Sequence, residues 1–209
     1  MIPIESIITF VIASALLCLA PGPDNIFVLT QSALYGRRSG VMVTLGLCSG
    51  LIVHTAAVAF GVAALLMASA AAFTALKVIG ALYLLYLAWG AFRAPAGSMD
   101  GPRSTLRSSG ELYRRGIFMN ITNPKVSIFF LAFLPQFAAP ENGPIAPQIF
   151  LLGAFFIVLT LVIFSAIALL AGTLGDWLNR SPRVQLWLNR IAGTIFTGLA
   201  LKLLTARAD

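Results

Sequence analysis

Three ionisable side chains, Asp24, His54 and Lys125, fall well inside long apolar stretches of the chain. A carboxylate, an imidazole and an ammonium in such surroundings can bind ions of opposite charge or pass protons. They lack the company that catalysis needs. The 209 residues hold one histidine and two cysteines, Cys18 and Cys48, so neither metal-ligand spacing nor a nucleophile beside a base can be assembled. The cysteines read as buried small hydrophobes. His54 reads equally well as a proton relay, since imidazole titrates at about 6.5, and as a neutral histidine hydrogen-bonded between helices.

Asp24 and Lys125, of opposite sign, sit where two of the apolar runs break. Pro21-Gly22-Pro23 precede Asp24-Asn25, and Asn123-Pro124 precede Lys125. Proline removes a backbone donor and glycine lets the chain bend. Asp24 or Asn25 is expected to cap the helix that restarts toward Tyr35, and Asn123 to cap the other, with Pro124 at its first position. Two such helix starts offer free amides and a positive dipole end to an anionic group. Replacing Pro23 or Pro124 by alanine is expected to let each helix run through. Proline and glycine often do no more than kink a helix. That plain reading suits one break better than two that each carry a charge.

The elements that hold these residues follow from composition. Apolar residues make up 59% of the chain and charged ones 10%, against roughly 25% charged in an ordinary soluble domain. Water cannot cover that much apolar surface on a protein of this size, but lipid can. A spanning helix needs about 20 apolar residues. The expected spans are Ile7–Tyr35 with its break, Val41–Met67, Phe73–Phe92, Gly116–Phe137 with its break, Ile149–Ala171 and Val184–Leu204. Unbroken, the first would reach roughly 40 Å, too long for a hydrocarbon core of about 30 Å. Cys18-Leu19-Ala20 resembles a signal cleavage site, but Glu5 stands where a basic n-region should be and Pro21 follows at once, so the segment is expected to be retained. The fold class is thus an all-α integral membrane protein. It forms one polytopic domain over 1–209, with halves of about 1–95 and 110–209 joined by a basic loop at 93–115.

A net charge of +7 is also a mark of nucleic-acid binders, but no polar domain presents the basic residues, so nucleic acid is excluded as a partner. Arg37, Arg38, Arg93, Arg103, Arg107, Arg114, Arg115, Arg180, Arg183 and Arg190 all follow the first, third and fifth spans. The opposite side has Lys77, Lys202 and Arg207. The bias puts the arginine-rich loops in the cytoplasm and both termini outside. Trp89, Trp177 and Trp187 flank the same loops as interfacial anchors, and Trp-Leu-Asn-Arg recurs at Trp177 and Trp187. Three spans per half make an inverted repeat with a midplane site between the halves, its first and fourth helices broken. Gly46 and Gly50 form a Gly-xxx-Gly pair suited to packing within or between subunits, which leaves self-association open.

The segments Ala20-Pro21-Gly22-Pro23-Asp24-Asn25, Gly36 to Gly40, and Gly116-Ile117-Phe118-Met119-Asn120-Ile121-Thr122-Asn123-Pro124-Lys125 resemble the LysE-type amino-acid exporter family over essentially the whole chain. That resemblance implies multi-pass insertion in a bacterial inner membrane and efflux of amino acids or their derivatives, driven by proton exchange. It implies that Pro21, Gly22, Pro23, Asp24, Asn25, Asn120, Asn123, Pro124 and Lys125 line or shape the path, with Asp24 and His54 as proton-relay candidates. The expected partners are a small solute, protons and the bilayer. No cofactor or metal is expected. The rivals are an exporter of a soft metal cation or another small solute, and a membrane enzyme, which would need a convergent catalytic set that the sequence does not offer.

Overall fold

The computed structural model describes residues 2–68, 70–94 and 108–205. The centre of the basic loop with Arg103 and Arg107, the terminal Arg207, and the side chains of Trp177 and Arg180 lie outside the described residues. All regular secondary structure among the described residues is helical, with no strand. In chain order come α1 (Ile4–Leu19), α2 (Pro23–Tyr35), α3 (Arg37–Ala68), α4 (Ala70–Arg93), α5 (Ser109–Thr122), α6 (Pro124–Ile128), α7 (Ile145–Arg180) and α8 (Pro182–Thr205). A π-helical turn, Phe129–Phe133, and a 3-10 turn, Leu134–Phe137, extend α6.

Both expected breaks are present. α1 and α2 meet at 56°, and α5 meets the α6 segment at 51°. Among the described residues, Arg37–Gly61 and Ile145–Ala171 are long and apolar enough to cross a bilayer alone, and each bent pair passes when taken as one span. α4 and α8, expected as the third and sixth spans, do not pass on their own among those residues. α8 opens on Arg183, Gln185, Asn189 and Arg190, which dilute its apolar run. Large apolar side chains face outward all round the bundle, including Ile12, Ile52, Phe60, Leu82, Val162 and Leu170. A soluble monomer rarely exposes such a surface, whereas a bilayer covers it. The protein is a helical membrane protein.

Two boundaries differ from the sequence reading. Helix α5 starts at Ser109, inside the stretch expected to be a loop, because Ser108 and Glu111 form a reciprocal capping box with backbone–side-chain bonds of 3.2 and 2.9 Å. Helix α7 runs to Arg180, through Gly175 and Asp176, where a loop was expected. The turn between α2 and α3 is Gly36, whose φ of 86° is in the left-handed region that favours glycine. In the link before α7, buried Gln148 ties the backbone together by donating to the carbonyls of Ala139 and Gly143 and accepting from the Ala139 amide.

Gly46 and Gly116 bring α3 and α5 into backbone contact. A Cβ on Gly46 would collide with the Tyr113 carbonyl and lie 3.0 Å from the Gly116 Cα. The Gly-xxx-Gly pair is therefore spent inside the protomer: Gly46 faces α5, and Gly50 faces the Asn120 side chain. Gly46→Leu is expected to lower stability by about 1–3 kcal/mol or more, the usual cost of overpacking a close contact. Thermal unfolding of the detergent-solubilised protein would register it as an earlier melt.

Candidate functional site

A helix leaves its last carbonyls without partners. At the end of α1 the donor that would serve the Leu17 carbonyl belongs to residue 21, and Pro21 has none. The donor for Cys18 belongs to Gly22, which is fully extended (φ −171°, ψ 175°) and turned away. Side chains replace them. The Lys125 ammonium donates to the carbonyls of Leu17 at 3.1 Å and Ala20 at 3.0 Å, and Asn25 Nδ2 donates to Cys18 O at 2.7 Å. A cation at a helix C-terminus is also favoured by the dipole. The two breaks are thereby joined: the lysine of the second closes the helix end of the first.

The second break is built as expected. Asn123 is the N-cap of α6, accepting the Lys125 amide at 3.0 Å on Oδ1, and Pro124 takes the first helical position. The first departs from expectation. Gly22, not Asp24 or Asn25, is the N-cap of α2, and no side chain caps it. Asp24 lies in the first turn with its carboxylate buried, facing α5. Its Oδ2 accepts a long bond of 3.4 Å from Asn120 Nδ2. His54 Nε2 lies 3.2 Å from the Asn120 carbonyl oxygen, and its ring stands 5.5 Å from that of Phe130. Asp24, Asn120 and His54 thus form one chain of contacts. No hydrogen bond joins Asp24 to Lys125: the ammonium bonds to carbonyls, and the Asp24 carboxylate has the Asn123 side chain beside it, with no bond of good geometry at Oδ1.

Orphaned polar atoms concentrate here. Asp24 Oδ1, Asn25 Oδ1, Asn120 Oδ1 and Asn123 Nδ2 are all buried and make no hydrogen bond of good geometry, although the Asn123 side chain lies beside the Asp24 carboxylate. Unmade bonds in a buried site cost roughly 1–3 kcal/mol each. A cluster of both donors and acceptors at the breaks is what a polar solute would satisfy.

Two cavities touch the site, with Lys125 in the wall of both. A small one of about 20 Å³, room for about one water, is lined by Asp24, Asn120, Cys18, Thr160 and Phe156 among others. An open cleft of about 600 Å³ lies on the other side, lined by Pro21, Gly22, Pro23, Asn123, Pro124 and Lys125 together with one face of α4 and of α8. All the expected site residues except Asn25 and His54 line one cavity or the other, and those two are bonded to residues that do. Sequence reasoning missed Thr160, which contacts Cys18 Sγ at 3.5 Å, and the cleft residues Tyr83, Tyr86 and Asn189. Asn189 belongs to the second Trp-Leu-Asn-Arg copy, taken as an anchor, and its Nδ2 donates to the Ala94 carbonyl at 3.3 Å. Lys77, one of the basic residues assigned to the extracytoplasmic side, is also buried.

Two bent helices that meet at a buried polar centre beside a small cavity and a larger cleft are the kind of arrangement found in membrane transport proteins. The chain belongs to the LysE type translocator family, whose model matches residues 15–207. It is 36% identical over 199 residues to the homoserine/homoserine lactone efflux protein of Salmonella typhimurium, covering 95% of each chain. It is 32% identical to an uncharacterized membrane protein of Vibrio cholerae, covering 96% of this chain and 97% of that one. A leucine efflux protein of Salmonella choleraesuis is 26% identical over 204 residues, 96% of this chain and 95% of that one. No solved structure matches.

Proposed function

We propose that the protein exports neutral amino acids or close derivatives across the bacterial inner membrane by exchange for protons. The observation that carries this reading is the cluster of orphaned polar atoms around buried Asp24 and Lys125, at the meeting of the two helix breaks. A zwitterion carries an ammonium for Asp24 and a carboxylate for Lys125 and the Asn123 amide. The lysine spends two of its three donors on α1 carbonyls, so one remains for a solute. The names of the relatives support amino-acid efflux, and among the described residues no group of three or more metal-ligating side chains favours a metal cargo.

In this reading the chain is a single domain of six spans, in which α1–α2, α3 and α4 are related by an inverted repeat to α5–α6, α7 and α8. Support comes from the nearly equal bends and from the pairing of like with like: α3 packs along α7, and α4 along α8. The arginine-rich loops face the cytoplasm. Exposed Trp89, under the Arg93 guanidinium at 4.2 Å, and exposed Trp187 fit an interfacial belt on that side. A reporter fused after Asp209 is expected to be extracytoplasmic and one within Ser98 to Ser109 cytoplasmic; the reverse result would overturn the orientation. The function itself is tested in reconstituted vesicles loaded with labelled leucine or homoserine. A pH gradient should drive export against a concentration gradient, and vesicles that retain every amino acid would reject the reading.

A further inference from the structure

We infer that the cleft between the two helix breaks and the packed pair α4 and α8 is the loading vestibule of the exporter and that it admits amino acids with uncharged side chains. The inference rests on the exporter reading above. At about 600 Å³ the cleft is within the range of small-molecule sites. Its floor is built rather than incidental: Lys125 and Asn123 are each more than nine-tenths buried, and Asn123 Nδ2, beside the Asp24 carboxylate, makes no hydrogen bond of good geometry. Both groups can donate to a carboxylate, so a solute entering here meets them first, with Asp24 beyond the lysine in the small cavity.

The cleft lies toward one end of the bundle. Its α4 wall, Tyr83 to Ala94, is the half that ends at Arg93, and its α8 wall begins at Asn189 beside Arg190. This is the arginine-rich end. The far end is shut by the fully buried rings of Phe10, Phe129, Phe130 and Phe133, which with Phe156 and Phe137 stack at centroid distances of 4.9–6.3 Å. A path open on one side of a polar centre and plugged with aromatic rings on the other is the loading state of an alternating-access exporter.

The walls determine what the cleft accepts. Apart from the two tyrosine phenols, Lys125 is the one ionisable side chain among the described lining residues, and Leu87, Ala192 and Phe196 are apolar. A basic solute side chain would meet no acid and one cation; an acidic one would compete for Lys125 with its own main-chain carboxylate. Leucine- or homoserine-like side chains meet neither difficulty.

The test uses Gly90→Cys, at a position where an added Cβ touches nothing within 4 Å. Inverted vesicles bearing the full-length variant are treated with a membrane-impermeant sulfonated maleimide, with the parent, whose two cysteines are buried, as the blank. Labelling is expected, and leucine or homoserine at about ten times its dissociation constant should slow it by about tenfold. Lysine and glutamate should not. Exposed Tyr86→Cys provides a second attachment point should the first variant misfold. Absence of labelling at both positions would mean a lipid-filled cleft, and equal protection by lysine would mean the wall does not select charge; either overturns the inference. If the parent exports leucine while labelling is indifferent to it, the vestibule alone falls. If the parent exports no amino acid, the exporter reading falls and takes the vestibule with it.

Discussion

Asp24→Asn is expected to leave a folded, inserted protein whose uphill export no longer responds to a pH gradient. An amide keeps the size of the carboxyl and an acceptor for Asn120 Nδ2, so the contacts among Asp24, Asn120 and His54 survive. What is lost is the ability to change charge. In the proposed cycle the carboxylate receives the solute ammonium, and a proton arriving from outside releases it. Uphill export in vesicles should fall by about tenfold or more, since loss of even ~1.4 kcal/mol of charge pairing is a factor of ten. Exchange down a gradient should fall less. If Asp24→Asn still gives pH-driven uphill export, the coupling residue lies elsewhere, and His54, in contact with Asn120, is the next to replace. Lys125→Gln separates the other half of the pair. It should weaken solute binding, and it should also loosen the α1 terminus, because two carbonyls depend on that ammonium.

The second large effect belongs to the first helix break taken whole. Pro23→Ala or Pro124→Ala alone, expected from sequence to let the helices run through, should do little. Each proline occupies the first helical position, where its missing donor is not needed. The decisive residue is Pro21, whose absent N–H leaves the Leu17 carbonyl to Lys125. In the combined variant Pro21→Ala, Gly22→Ala, Pro23→Ala, helical bonds can form from residue 21 to Leu17 and onward. That withdraws a partner from Lys125, and the Cβ on residue 22 would stand 3.0 Å from its Nζ. Membrane insertion should persist while export drops below detection, with protein level and transport measured on the same vesicles. Wild-type export by the combined variant would show that the break is not needed for transport.

A smaller substitution probes the same centre from behind. A Cβ on Gly50 would fall 2.7 Å from Asn120 Oδ1 and 2.8 Å from Asn120 Cβ, so Gly50→Ala must push Asn120 off its contact with Asp24. Export is expected to decline without loss of membrane insertion, unlike Gly46→Leu, which attacks the helix contact itself.

Most of the helical layout was legible because its signals are local. Lipid-scale apolar runs, Pro21-Gly22-Pro23 and Asn123-Pro124 announce helices and breaks from the residues alone, and Asn123 caps as its type and position require. The Ser108–Glu111 capping box was equally local and passed unnoticed inside a stretch dominated by arginine, glycine and serine. The end of α7 and the capping of α2 were misread because Gly175-Asp176 and Asp24-Asn25 were weighed by residue type alone, whereas the helix runs through the first pair and begins before the second.

The sequence by itself determined that this chain lives in lipid, that two of its helices are discontinuous, and that opposite charges stand at the two breaks. These are matters of residue type and order, fixed by the cost of burying polar groups in hydrocarbon and by what proline cannot donate. Only the tertiary structure decided what those charges touch. Lys125 bonds the carbonyls of Leu17 and Ala20 rather than Asp24, Asp24 turns to Asn120, and Tyr83, Tyr86 and Asn189 gather into a cleft above them. Such partners lie about a hundred residues apart, so the pairing depends on which helices pack together. In this protein that packing follows from close crossings such as Gly46 on Gly116, which no periodicity along one helix can reveal.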